Sequence, residues 1–252
     1  MLDTLIKIAL APILVLQGLY VRRVTPKLPE PSGDRSGVMG SGPHLRVLIL
    51  GDSAAAGVGV NSQAEALSGQ LVSNLARDYR VSWKLLAQSG FDTPEVLAMV
   101  ESSATEPFDA VLVSIGVNDV TGCRVSAREW SKTVNRLLDV LLWKYSARQV
   151  LLAPVPPMHA FPSLPQPLRW FLGRRAKQFN LALAHVASSR TDCHLQSSDL
   201  PLQDGMLADD GFHPGAVIYT LWAENTAATV RSYFVDPVSL GGRVLVPASQ
   251  AQ

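Results

Sequence analysis

Residues 47–60 read VLILGDSAAAGVGV. Four aliphatic residues in a row, with no polar break, suit a strand buried on both faces, and such strands belong to parallel sheets covered by helices. Gly51 and Asp52 end that run, and Ser53 follows with only alanine and glycine after it as far as Gly57. A lone hydroxyl in that setting is a turn residue, a phosphate-loop residue or a nucleophile. No GK[ST] follows the glycines and no G-x-G-x-x-G occurs in the chain, which removes the nucleotide readings.

Outward from this strand the chain becomes regular. Short apolar runs predict strands at 45–50, 81–87, 110–115, 149–153 and 194–196, and helical periodicity fills 64–78, 94–101, 126–145, 168–187 and 216–234. In 126–145 the apolar residues Trp130, Val134, Leu137, Leu138 and Leu141 recur at three-and-four spacing. Thr93 reads as an N-cap with Pro94 at the first helical position. Strictly alternating strands and helices predict one three-layer α/β/α domain over 45–235 with right-handed crossovers, followed by a tail at 236–252. Before it, TPKLPEPSGDRSGVMGSGP (25–43) is too rich in Pro, Gly and Ser for a helix or central strand, and 25–44 reads as a linker.

The remaining composition excludes more than it proposes. The chain has 252 residues, 47% hydrophobic, with 22 basic and 21 acidic residues and a net charge of +1, so no field or basic tract favours nucleic acid. Cys123 and Cys193 lie far apart without ligand spacing, and are expected to pack as small apolar side chains. His44, His159, His185 and His194 are isolated, so neither a metal nor a cofactor is expected. At the N-terminus, LIKIALAPILVLQGLYV (5–21) carries the single charge of Lys7 and, as a helix, spans roughly 25 Å against a hydrocarbon core of about 30 Å. Residues 1–24 therefore read as an uncleaved anchor or interfacial helix, with a helix that simply packs on the domain as the plainer reading. Arg22, Arg23 and Lys27 beyond it predict membrane association with a cytoplasmic catalytic domain; a soluble cytoplasmic or periplasmic protein is the alternative. Oligomeric state leaves no mark.

Ligands of open α/β sheets bind beyond the carboxyl ends of the strands, so chemistry is sought in the strand-end loops. Ser53 offers a hydroxyl with clearance on all sides. A serine needs a base, and His213 in DDGFHPG sits in such a loop with Asp210 three residues before it, a spacing that returns the carboxylate to the far ring nitrogen; Asp209 is the rival. Negative charge developing on a tetrahedral oxygen needs donors, which Asn118, Gly90 and the Ser53 N–H can supply from three loops. Asp52 reads as a turn-shaping residue and Asp119 as a brace of its own loop. PVPPMHAFPSLPQPLRWFLG (154–173) reads equally as pocket lining or rigid surface loop.

GDS after the first strand, Gly90 after the second, GVND after the third and DGFH near the end resemble, in order, the four blocks of the SGNH (GDSL-type) hydrolase superfamily. The resemblance covers about Leu45 to Phe234, and departs from many members in having Ala54 where they carry leucine. It implies a flavodoxin-like five-stranded parallel sheet and a serine esterase or lipase-like enzyme with Ser53, Asp210 and His213 as triad. Ser53, Gly90 and Asn118 are implied as the oxyanion hole. The substrate implied is a small-molecule or lipid-like acyl ester, with no cofactor. Acyl transfer or polysaccharide O-deacetylation by the same triad is an alternative, as is an inactive membrane-tethered binding module.

Overall fold

The computed structural model describes residues 2–197 and 205–234, with side chains from Leu10 onward; the expected tail at 236–252 lies outside these residues. Among the described residues, six strands form one sheet: β1 (Ser36–Met39), β2 (His44–Gly51), β3 (Arg80–Ala87), β4 (Ala110–Ser114), β5 (Gln149–Leu152) and β6 (Cys193–Leu195). Their order is β1-β3-β2-β4-β5-β6, with β2 to β6 parallel and β1 antiparallel to β3. The five parallel strands are those expected, in the flavodoxin-like order; the sixth is a correction. Ser36–Met39 falls in the expected linker, and all four of its residues are exposed. It is a strand because β3 offers it an edge, with Ser36 opposite Lys84 and Met39 opposite Val81.

The rest of that segment is folded onto the domain too. Gln63 N–H donates to the Ser32 carbonyl at 2.8 Å, Leu85 N–H donates to the Arg35 carbonyl at 2.7 Å, and Arg35 pairs with Glu30 at 2.7 Å. A Pro/Gly/Ser-rich composition rules out helices and central strands, but it leaves extended backbone free to pair with an existing edge.

Side-chain alternation along the strands builds two cores. Leu48, Leu50, Val111, Val113, Val150 and Leu152 face one side, where α4 (Thr93–Ser102), α6 (Ala127–Lys144) and α7 (Leu168–Ser188) cover them. Val47, Ile49, Leu112 and Leu151 face the other, under α3 (Leu67–Leu75) and α8 (Ala216–Phe234). Two short helices lie at strand exits where loops were expected, α2 (Ser53–Ala56) and α5 (Val117–Gly122). The helix α4 is capped one residue earlier than expected: Asp92 accepts from Glu95 N–H, and the Glu95 carboxylate accepts from Asp92 N–H, a capping box.

The N-terminal helix α1 (Leu2–Val24) lies against the α7 side. Leu14 is buried in the first core, while Gln17 donates to the Gln166 carbonyl at 2.7 Å and accepts from Leu168 N–H at 3.0 Å. Among the described residues no helix is long and apolar enough to cross a membrane.

Candidate active site

The chain order of the strands reverses beside β2, whose successors pair on either flank: β3 on one side, β4 on the other. The crevice at the carboxyl ends of β2 and β4 is the place this topology leaves for a ligand. Gly51 makes the exit from β2, and a side chain there would place its Cβ 2.0 Å from the Ser114 carbonyl oxygen. The residue is glycine because β4 lies that close. Asp52 caps α2, accepting from Ala54 N–H at 3.1 Å, so that Ser53 opens the helix at the mouth of the crevice. Asp52 thus shapes the turn as expected, but with a feature no sequence pattern carries: its Oδ2 is buried without a hydrogen-bond partner. Burial pushes this carboxyl up to about 7, against the lowering effect of the Ala54 bond.

His213 reaches Ser53 from a small turn between Met206 and Gly215. Ala208 N–H donates to the His213 carbonyl and Gly215 N–H to Met206, at 2.9 Å each, and Leu207 bridges Pro214. The Asp210 Oδ1 accepts both Phe212 N–H and His213 N–H at 2.9 Å, a side-chain-closed turn. Its other oxygen, Oδ2, lies 2.5 Å from His213 Nδ1, and His213 Nε2 lies 2.9 Å from Ser53 Oγ. Burial acts to raise the Asp210 carboxyl, but the bonds from the His213 ring and from the two backbone N–H groups outweigh it, holding Asp210 below the usual carboxylate range. The rival Asp209 is exposed, whereas Asp210 is buried. This turn is pressed onto the Ser53 loop: Gly59, at φ +113°, has no room for a Cβ, which would sit 2.2 Å from the Pro214 carbonyl oxygen. Tyr219 on α8 also donates to the Val58 carbonyl at 2.7 Å.

Gly90 and Asn118 line one groove with Ser53 and His213. Gly90 has φ +85° and a Cβ built on it would meet nothing within 4 Å, so the position needs glycine for its backbone and leaves open space in front of it. Asn118 donates one amide N–H to the Phe91 carbonyl at 2.9 Å, which ties the third loop to the second. Asp119 reinforces that tie and corrects the expected local brace. Its carboxylate accepts Thr93 Oγ–H at 2.8 Å and Thr93 N–H at 3.1 Å, and Trp130 Nε1–H donates to the same Thr93 oxygen at 2.8 Å. A second brace comes from the segment read as a linker, because Glu30 accepts Ser89 N–H at 2.7 Å, beside Gly90. Neither brace had a signal in the sequence beyond the polar residue itself; both depend on elements distant in the chain.

Two cavities meet at Ser53. One, of about 490 Å³, passes under Pro154, Pro156 and Phe161, so the proline-rich stretch lines a pocket on that side. The other, of about 960 Å³, runs from Ser53, Gly90 and Asn118 to α1. Of the two cysteines, Cys193 is partly buried, as expected, and burial pushes its thiol up to about 12. Cys123 departs from expectation: it is exposed, at the left-handed end of α5 with φ +56°.

The fold is that of SGNH-type hydrolases, and the family the chain belongs to makes it an ester hydrolase. The chain belongs to the GDSL-like lipase/acylhydrolase family, whose model matches residues 49–221. In structure it is similar to a carbohydrate acetylesterase from Sinorhizobium meliloti, with 19% identity, 75% of this chain and 100% of that one covered, and a TM-score of 0.58. It is similar also to a psychrotrophic esterase from Pseudoalteromonas sp., solved with monoethylphosphonate as inhibitor, at 17% identity, 75% and 97% coverage and a TM-score of 0.58. A lipase/acylhydrolase from Enterococcus faecalis matches at 17% identity, 75% and 96% coverage and a TM-score of 0.58. No curated protein matches the chain in sequence.

Proposed function

We propose that the chain cleaves carboxylic esters with Ser53 as nucleophile, His213 as general base and acid, and Asp210 as the group that orients the histidine. The observation that carries this reading is the position of His213 between the other two, 2.9 Å from Ser53 Oγ through Nε2 and 2.5 Å from Asp210 Oδ2 through Nδ1. With Nδ1–H donated to Asp210, Nε2 is the free base that takes the Ser53 proton as Oγ attacks the ester carbonyl. The oxyanion is met by Ser53 N–H, Gly90 N–H and the second amide N–H of Asn118. His213 then protonates the departing alcohol, and water activated by the same ring releases the acid from Ser53.

Ser53→Ala tests the assignment. Against nitrophenyl acetate and butyrate, kcat/KM is expected to fall by roughly 10³-fold or more, with the melting temperature nearly unchanged. A variant that keeps wild-type turnover overturns the mechanism.

A lipid-like ester is the substrate we assign, and α1 supports an interfacial rather than a spanning role. Ile13, Leu16 and Tyr20 form an exposed apolar stripe that runs toward the exposed Arg22 and Arg23. Binding of the full chain to anionic phospholipid vesicles in a flotation assay is expected, and Leu16→Asp with Tyr20→Asp is expected to abolish it. Equal flotation of the two proteins, or none of the wild type, removes this part of the reading.

A further inference from the structure

The larger cavity poses a question of substrate that the reacting atoms leave open. It begins at Ser53, Gly90 and Asn118 and ends along α1, between Leu14, Gly18 and Leu19 on that helix and Leu168, Phe171 and Leu172 on the α7 side. We propose that this groove seats the acyl chain of the substrate, so that α1 makes the enzyme selective for long-chain over acetyl esters. The proposal rests on the assignment of Ser53 as nucleophile.

Length and lining both favour an aliphatic chain. The α1 residues that line the groove run from Ala11 to Arg22, a rise of roughly 16 Å, which matches an extended chain of about a dozen carbons. The α1 residues that face the groove, Ala11, Leu14, Val15, Gly18, Leu19 and Val21, carry no polar side chain, and Arg22 stands only at the end. The smaller cavity is also mainly apolar, but Ser114, His194, Gln196, Asn225 and Thr229 in its lining offer hydrogen-bonding groups to the alcohol part of the ester. The two arms of one ester thus have two separate channels meeting at Ser53.

Gly18 is the most telling residue of the wall. A glycine inside a helix costs stability relative to alanine, and the φ of Gly18 does not require one. A Cβ at this position would meet nothing within 4 Å, so the missing side chain leaves space in the groove rather than making room for a packed neighbour. The family match covers residues 49–221, so α1 lies outside the matched part of the chain.

The test uses the full chain and nitrophenyl esters from acetate to tetradecanoate, below their aggregation concentrations. Each methylene buried in an apolar groove is worth about fourfold in kcat/KM, so the wild type is expected to favour dodecanoate over acetate by at least tenfold. Gly18→Trp fills the groove and is expected to lower that ratio at least tenfold while acetate is still hydrolysed. Gly18→Leu is expected to give an intermediate cut-off, which keeps the test alive if the larger side chain unfolds the helix. Leu181→Trp, on the exposed face of α7 outside the groove, is expected to keep the wild-type ratio. A wild type that prefers acetate, or a Gly18→Trp profile equal to the wild type, overturns the groove assignment. Ser53→Ala separates the two proposals: activity retained there at every chain length sinks the nucleophile, whereas its loss alongside an unchanged Gly18→Trp profile sinks only the groove.

Discussion

Asp52 shows how a single residue can be tolerated at a cost. One oxygen caps α2 through Ala54 N–H, and the other is buried with no partner. An acid whose folded value is about 7 against an unfolded value near 3.8 binds its proton more tightly in the fold. Stability from this group is therefore present at pH 4 and is lost as pH rises toward 7, by up to about 4 kcal/mol. Asp52→Asn keeps an oxygen for the Ala54 bond and removes the charge. It is expected to melt several degrees higher than the wild type at pH 8 and at nearly the same temperature at pH 4, measured by calorimetry across that range. A difference that does not grow with pH would show that Asp52 does not titrate in this window.

At the scale of elements, the expected site rested on the strand exits, and the structure brings those residues together because each exit is set by a short local rule. Asp52 caps α2 two residues on, Asp210 closes its own turn, and Gly90 supplies a left-handed turn. These rules act over a few residues, so a pattern such as GDS or DGFH carries them. What was not legible acts between elements. The strand β1 has no buried face of its own and exists only by pairing with β3, and Asp119 and Glu30 reach across the fold to Thr93 and Ser89. Asp119→Ala leaves the buried Thr93 N–H without its partner, a cost of about 1–3 kcal/mol. It also frees the start of α4, where Asn118 is tied through Phe91. A displacement of the Asn118 amide by about 1 Å is expected to lower kcat by roughly 10- to 100-fold with a smaller change in KM. Steady-state kinetics on a short-chain ester checks this; a fall in melting temperature with kcat unchanged would make Asp119 a packing residue only.

At the scale of the molecule, charge is placed differently at the two ends of the strands. At the carboxyl ends of the strands, Ser53, Asp210 and His213 meet in an open crevice. At the opposite ends of β2 and β4, Arg46 clamps Asp109 through Nε at 3.0 Å and Nη2 at 2.9 Å, while Arg46 N–H adds a third bond at 2.9 Å. Burial acts to raise the Asp109 carboxyl, and the Arg46 bonds overcome it and hold it below its usual value. The sign is then opposite to that of Asp52: this stabilisation is full above the unfolded value near 3.8 and disappears as pH falls through the lowered one. Asp109→Asn is expected to cost about 1–3 kcal/mol at pH 7, a drop of roughly 3–10 °C in melting temperature, and to match the wild type near pH 2. Because the clamp sits at the end of the sheet away from the crevice, kcat/KM at 25 °C is expected to stay within twofold of the wild type. A loss of activity that exceeds the loss of folded protein would mean that the two ends of the strands are coupled through β2 and β4, and that the carboxyl-end geometry depends on a clamp one strand length away.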